Sequence, residues 1–202
     1  MEIRLERRTD FKSVENLIRE AFWNIYRPGC YEHFIVHKLR HDMSFISQLD
    51  YVIEEEGKIV AHIAYSKNGI YDGDEKIGDV VTLGPVSVHP DYQKKGYGTK
   101  IIEYTLEKAR ELEIPYIFVI GDENYYKRFG FEDASKYGIQ FNDVTDETPF
   151  FMVRIFDKDN TKLIKGIYRD NACFKVDENE LDKFDLEFPP KQKEKREGQL
   201  DL

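Results

Sequence analysis

Between Phe11 and Phe22 the apolar residues Phe11, Val14, Leu17, Ile18, Ala21 and Phe22 recur every three or four positions. That spacing predicts an amphipathic helix, with Thr9 or Asp10 able to cap its start. A short strand, IRLERR (3–8), precedes it and Pro28-Gly29 ends it. A second helix is predicted from Tyr31 to His41. In YVIEEEGKIVAHIAYS (51–66) two strand-like runs flank Glu-Gly-Lys, which predicts a hairpin. A fourth strand, VVTLGPVSV (80–88), is interrupted by Gly84-Pro85. Proline cannot donate to a ladder, so a bulge or a free edge is expected there.

Further along, Ile101, Ile102, Thr105, Leu106, Ala109 and Leu112 line one side of a strong helix, with Glu and Lys opposite. The unbroken apolar run YIFVI after Pro115 suits the middle of a sheet. ENYYKRFGF (123–131) reads as a short helix stopped by Gly130. FFMVRIFD (150–157) is a sixth strand, and ACFKV (172–176) a further one that would pair with it. The order β-α-α-β-β-β-α-β-α-β-β predicts an α/β (α+β) fold, a mixed but mostly antiparallel sheet with helices on its faces. The last twelve residues, KQKEKREGQLDL, are charged and aperiodic, which predicts a loosely held tail.

The chain has 202 residues, enough for one domain with an appendage, and 41% of them are apolar, enough for a sizeable core. A net charge of −9 without a basic stripe argues against nucleic-acid binding. There is no run of eighteen apolar residues and no apolar stretch in MEIRLERRTD, so neither a membrane span nor a signal peptide is expected. Two distant cysteines, Cys30 and Cys173, suit a reducing cytoplasm better than a disulfide framework, and a cysteine metal site would need more of them.

Between the fourth strand and the strong helix lies QKKGYG, with Gln93, Gly96 and Gly98 spaced Q-x-x-G-x-G. Glycines let a ligand approach the backbone, and the unpaired N–H groups of a helix start carry partial positive charge. Together they make an anion site suited to a pyrophosphate. Neither a Walker loop nor GxGxxG is present, and an ordinary tight turn is the competing reading.

In this order, the interrupted strand, QKKGYG, the helix GTKIIEYTLEKAREL, the strand YIFVI and YYKRFGF resemble the GNAT superfamily of N-acetyltransferases. GDENYYKRFGF, together with the ending LEFPP (186–190), is similar to a bacterial subgroup of predicted acetyltransferases with a C-terminal extension. The resemblance covers residues 1–156, expected to form the acetyl-CoA-binding domain, with an extension at 157–190 and the tail at 191–202. It implies acetyl-CoA as cosubstrate and strands four and five splayed at the bulge. The coenzyme arm would pair with Val86, Ser87 and Val88. Its pyrophosphate would meet the N–H groups of Lys94, Lys95, Gly96, Tyr97, Gly98 and Thr99. Tyr126, four residues before Gly130, would donate a proton to the leaving thiolate; Asn124 and Tyr125 would flank the cofactor, Tyr125 as a packing aromatic.

Many family members carry a glutamate in mid-strand four. The matching neighbourhood here is Thr82-Leu83, without a carboxylate, which leaves Asp79, His62 or Glu123 as distant relays through water. The expected acceptor is a primary amine, small molecule before protein, and a homodimer is compatible with this reading. A non-catalytic acetyl-CoA sensor or scaffold, a protein N-acetyltransferase and a transferase of another acyl group are the alternatives. His33, His37 and His41 fall on one helix side, placed better to wall an acceptor pocket than to hold a metal. Phe22, Trp23 and Tyr26 could form an aromatic wall for the acceptor.

Overall fold

The computed structural model describes residues 1–144, 146–159 and 161–199. Its elements in chain order are β1 (Glu2–Leu5), α1 (Phe11–Phe22), α2 (Glu32–Leu39), β2 (Tyr51–Glu55), β3 (Lys58–Asp72), β4 (Glu75–Val88), α3 (Tyr97–Glu111), β5 (Tyr116–Ile120), α4 (Glu123–Tyr126), β6 (Glu132–Asp133), β7 (Ile139–Phe141), β8 (Phe151–Ile155), β9 (Gly166–Arg169) and α5 (Glu178–Asp185). The strands form one sheet in the order β1-β2-β3-β4-β5-β8-β6, with β7 and β9 attached through β3. Among the described residues only β4–β5 and β7–β9 run parallel. The mixed, mostly antiparallel architecture is therefore the expected one.

The β2–β3 hairpin turns on Glu56 and Gly57, both with positive φ, as a two-residue turn between twisted strands prefers. β3 and β4 run past the predicted limits of 66 and 80 and join through Gly73-Asp74. Their polar, glycine-broken far halves lack the alternation that marks a strand. They are held from outside: β9 pairs Gly69, Ile70 and Tyr71 with Arg169, Tyr168 and Ile167. The strand predicted at ACFKV is instead a single 3₁₀ turn over Ala172–Phe174, which Asn171 caps by accepting from the Cys173 N–H. The extension's strand is GIYR (166–169), and it pairs with β3 and β7 rather than with β8.

Two cores lie on opposite faces of the sheet. Beneath α3, Ile53, Ile63, Tyr65, Leu83, Ile101, Ile102, Leu106, Ile117 and Val119 pack together, and Tyr65 is tied to Thr105 at 2.9 Å. On the other face Ile70, Val80, Phe118, Phe151, Val153 and Tyr168 join the extension to the sheet. Farther along that face Val14, Leu17 and Ile18 of α1 meet Val36 and Val52.

The extension docks on α1 and α2 through buried polar links. Asp185 Oδ1 accepts from Arg19 Nε at 2.9 Å and lies 3.0 Å from His33 Nε2. The charged segment after Pro190, read from sequence as a tail, lies along the end of α1. Trp23 Nε1 and Asn24 Nδ2 both donate to the Gln192 carbonyl, and Gln199 Nε2 donates to the Asn24 carbonyl. Residues 200–202 of the predicted tail fall outside the described residues.

Candidate active site

The Gly84-Pro85 interruption is a bulge. Ile63 pairs with Val86 and Tyr65 with Leu83, so two steps on β3 face three on β4. Pairing with β5 stops at the same place, since Leu83–Val119 is the last parallel pair. Beyond it β4 and β5 part, leaving a gap whose β4 wall is Pro85 to Val88.

The two-residue period of a strand decides which backbone groups enter that gap. His89 donates to the Val60 carbonyl on β3. Counting back through the regular pairs His62–Ser87 and Ile63–Val86, Ser87 turns its backbone to β3, whereas Val86 and Val88 turn theirs to the gap. The Gln93 side chain donates to the Val88 carbonyl at 3.2 Å, giving the first residue of Q-x-x-G-x-G a structural task. Of the three strand-four residues expected to meet the coenzyme, Val86 presents a free edge and Val88 an edge whose carbonyl Gln93 already holds. Ser87 presents none, and its side chain is buried with Oγ unpaired.

The corner sits at the mouth of the gap. Among the described residues no acceptor is bound by the backbone N–H of any residue from Lys94 to Thr99; the first bonded amide of the helix is Lys100, which donates to Gly96. Six consecutive N–H groups are therefore free, three of them in the first turn of α3. Gly96 caps that helix with φ 86°, a conformation in which L side chains are strained. Gly98 is needed for space: a Cβ there would stand 2.8 Å from the Tyr125 hydroxyl and 3.6 Å from Val88 Cγ2. Tyr125 thus packs directly on the helix start, with the Arg128 guanidinium 4.3 Å from its ring centre.

Tyr126 lies deeper. A Cβ on Gly121 would meet its ring at 2.5 Å, so the glycine that follows β5 makes room for it. Phe131 and Tyr125 pack edge-on against it, at 5.8 and 5.1 Å between ring centres. Burial pushes its hydroxyl well above the ordinary phenol value, and the Tyr125 and Tyr26 hydroxyls add to the rise. That hydroxyl has no hydrogen-bond partner among the described residues. Asn124 is the second residue of the short α4, its N–H donates to the Asp122 carboxylate, and its side chain is exposed.

The remaining candidates are dispersed. Tyr26 lies close enough to Asp122 and Tyr126 to act on them electrostatically. Phe22 lies behind it at 6.1 Å, and Trp23 turns away to the Gln192 carbonyl. The histidine row is split: His33 faces Asp185, His37 faces Glu15 at 2.9 Å, and His41 only packs on His37. Each proposed relay already has a partner, since Asp79 pairs with Lys76, Glu123 with Lys127 and His62 with Asp50. Glu6, Asp50 and His62 offer ligand atoms within 4.8 Å of one another, but Arg40 binds Glu6 at 2.5 Å, so a cation would have to compete with a guanidinium already in place. Cys30, His33 and Asp185 line up at 3.3 and 3.0 Å, yet burial pushes the thiol far above its usual range, and no thiolate forms. Two surface hollows, one along Arg27, Tyr31 and Lys193 and one along Ile77, Tyr137 and Leu163, lie away from the gap.

Sequence reading missed Tyr168 and Asp170. Tyr168 Oη sits 2.9 Å from Thr82 Oγ1 and donates to Asp170 Oδ1 at 2.9 Å. The short GIYRD run has no periodicity to mark it, and its partner strand residues are a hundred positions away.

A sheet that opens at a bulge, with free amides at the mouth and a buried phenol inside, is the fold of an acyltransferase. Residues 11–131 match the acetyltransferase (GNAT) family, and the chain belongs to it as an N-acetyltransferase. It is 26% identical over 157 residues to the uncharacterized N-acetyltransferase YhbS of Escherichia coli K12, a match covering 78% of this chain and 89% of that one. Over 101 residues it is 33% identical to the uncharacterized N-acetyltransferase YjhQ of the same strain, covering 50% and 55% of the two chains. Among solved structures, E. coli YhbS in complex with CoA superposes with a TM-score of 0.73 at 23% identity, covering 86% of this chain and 91% of that one. A GNAT family acetyltransferase from Brucella melitensis in complex with acetyl-CoA gives 0.68 at 29% identity, covering 86% and 97%. Among the described residues no helix is long and apolar enough to cross a membrane.

Proposed function

We propose that the protein binds acetyl-CoA and moves its acetyl group to the primary amine of a small molecule that carries an apolar portion. The observation that carries this reading is the run of six free amides from Lys94 to Thr99 at the mouth of the gap. Such a run suits a diphosphate, because each N–H adds a donor and the helix start adds favourable potential. The edges of Val86 and Val88 suit an amide-bearing arm laid along β4. Acetyl-CoA supplies an activated thioester; the protein supplies orientation, N–H donors near a developing oxyanion, and a proton. Tyr126 is the donor for the departing sulfur, because its raised hydroxyl keeps its proton at any physiological pH. Ile120 at the end of β5 and Tyr26 leave 41% and 47% of their surfaces exposed, which favours an amine with an apolar body.

Gly96→Asp tests the anion site. An aspartate there would place its own carboxylate on the first-turn amides and repel phosphate, whereas Gly96→Asn has the same shape without charge. Calorimetry should find coenzyme affinity lowered at least tenfold more by Asp than by Asn. Equal affinities in the two variants would remove the corner from the site. Thiol release from acetyl-CoA against a panel of amines separates an enzyme from a sensor, which would bind and never turn over.

A further inference from the structure

β4 carries no carboxylate from Val80 to Val88, so the strand beside the gap offers no base for the incoming amine. A carboxylate does reach it from elsewhere. Thr82, one residue before the last β4–β5 pair, has a small exposed facet of 6%, and its hydroxyl meets Tyr168 Oη. Tyr168 is wholly buried and fixed by rings on three sides, with centres 5.8 Å from Phe118, 5.8 Å from Phe141 and 4.8 Å from Phe151. Beyond it lies Asp170, which meets no arginine or lysine among the described residues. Asp170 is half-buried; a carboxylate partly withdrawn from water without a cation carries a cost, and in a structural role a neutral amide would serve as well.

We propose that the C-terminal extension completes the active site, with Asp170 as the far end of a proton path that runs from the acceptor amine through Thr82 and Tyr168. The proposal rests on the acetyl-transfer reading above. As the nitrogen bonds to the acyl carbon it gives one proton to Thr82 Oγ1. Thr82 hands its own proton to Tyr168 Oη, and Tyr168 hands its own to Asp170 Oδ1. The carbon–sulfur bond breaks and the sulfur takes a proton from Tyr126. Asp170 ends protonated and Tyr126 deprotonated, and exchange with water resets both, so the proton count closes. Asp170 acts only through the two hydroxyls and is a positioning residue in the sense that it touches no substrate.

The groups that face Asp170 agree with this task. Burial raises its carboxyl, and the hydrogen bond from Tyr168 partly offsets the rise. Cys173, in the turn that follows, is pushed up to about 11 by burial and stays a thiol, under the influence of Ser44, Asp42 and Lys38. The base is therefore stronger than an ordinary aspartate and has no cation to quench it.

The test uses the full chain and the variants Asp170→Asn and Tyr168→Phe. With an amine that the parent acetylates, both variants should lose at least tenfold in kcat at pH 7, with coenzyme affinity unchanged. Their rates should then climb with pH where the parent's has levelled. A purely structural role would lower thermal stability and leave the pH profile alone. A second readout needs no turnover: with carboxyl-labelled aspartate, a resonance besides that of the buried Asp50, whose carboxyl burial also raises, should titrate above the usual carboxylate range, vanish in Asp170→Asn and move higher in Tyr168→Phe. Variants with the parent's kcat and pH profile would overturn the path while leaving acetyl transfer standing. A parent that binds coenzyme yet acetylates no amine would overturn both readings, and the inactive parent itself distinguishes that result.

Discussion

Tyr125 and Tyr126 are adjacent phenols with different surroundings. Tyr125 rests on Gly98 at the helix start, where Arg128 and Thr99 counter part of the rise that burial causes. Tyr126 is enclosed by Gly121, Phe129 and Phe131, and no cation acts on it. Burial raises both, so both keep their protons, but Thr99 engages the Tyr125 hydroxyl whereas that of Tyr126 has no hydrogen-bond partner among the described residues. Tyr126→Phe should lower kcat by about a hundredfold and leave the coenzyme Kd nearly unchanged, by steady-state kinetics and calorimetry. Full activity would remove the phenol from the reaction. Both tyrosines and both glycines of the corner were legible in the sequence, because tight backbone approach leaves glycines and a short helix leaves its stop signal. Tyr168 was not legible, because its role comes from a neighbour on β4 rather than from local pattern.

Among elements, the bulge and the extension matter most. Gly84-Pro85 marked the bulge in the sequence because proline removes a ladder donor. The extension misled because apolar content, not pairing, drew attention to ACFKV, whereas the glycine-led GIYR reaches an edge that β3 leaves open past Tyr65. The extension is fastened at Asp185. Burial alone would raise that carboxyl, but hydrogen bonds from His33 and Arg19 hold it below its usual value. Asp185→Ala strands the Arg19 charge, which is 2% exposed, and should cost about 3–5 kcal/mol in denaturant unfolding. Lys12→Ala breaks the open pair with Glu187 and should cost less than about 1 kcal/mol. Similar losses from the two changes would show that the docking is held by apolar contacts instead.

For the whole molecule, stability should depend on pH through the enclosed group of Glu6, Arg40, Asp50 and His62. Burial pushes the Glu6 carboxyl up to about 8, opposed by His62 and helped by Asp50. From its ordinary value to about 8 the folded state holds a proton that the unfolded chain has lost, so stability falls as pH rises. His62 works the other way: burial lowers it to about 4, so stability is lost as pH falls from about 6.5 toward that value. The two slopes oppose each other below about 6.5, and above it Glu6 contributes a decline of at most ~1.4 kcal/mol per pH unit, to which the Asp50 carboxyl, also raised by burial, adds. Thermal melts should show Tm dropping between pH 6.5 and 8 in the parent and much less in Glu6→Gln. A parent Tm that is flat over that window would mean that Arg40 keeps Glu6 ionised.

β3 has a further consequence. One of its long sides is covered by β4. The other is tiled by three pieces of chain: β2, then residues 44–46 through Ile46 to Tyr65 and Lys67 to Ser44, then β9. With both flanks sealed, its amides should be the last in the protein to take up deuterium from heavy water. Ending the chain at residue 157 would unseal only one stretch, and the amides of Gly69 and Tyr71, which face β9, would then exchange quickly while that of Ile70, which faces β4, and those of 61–63 stayed slow.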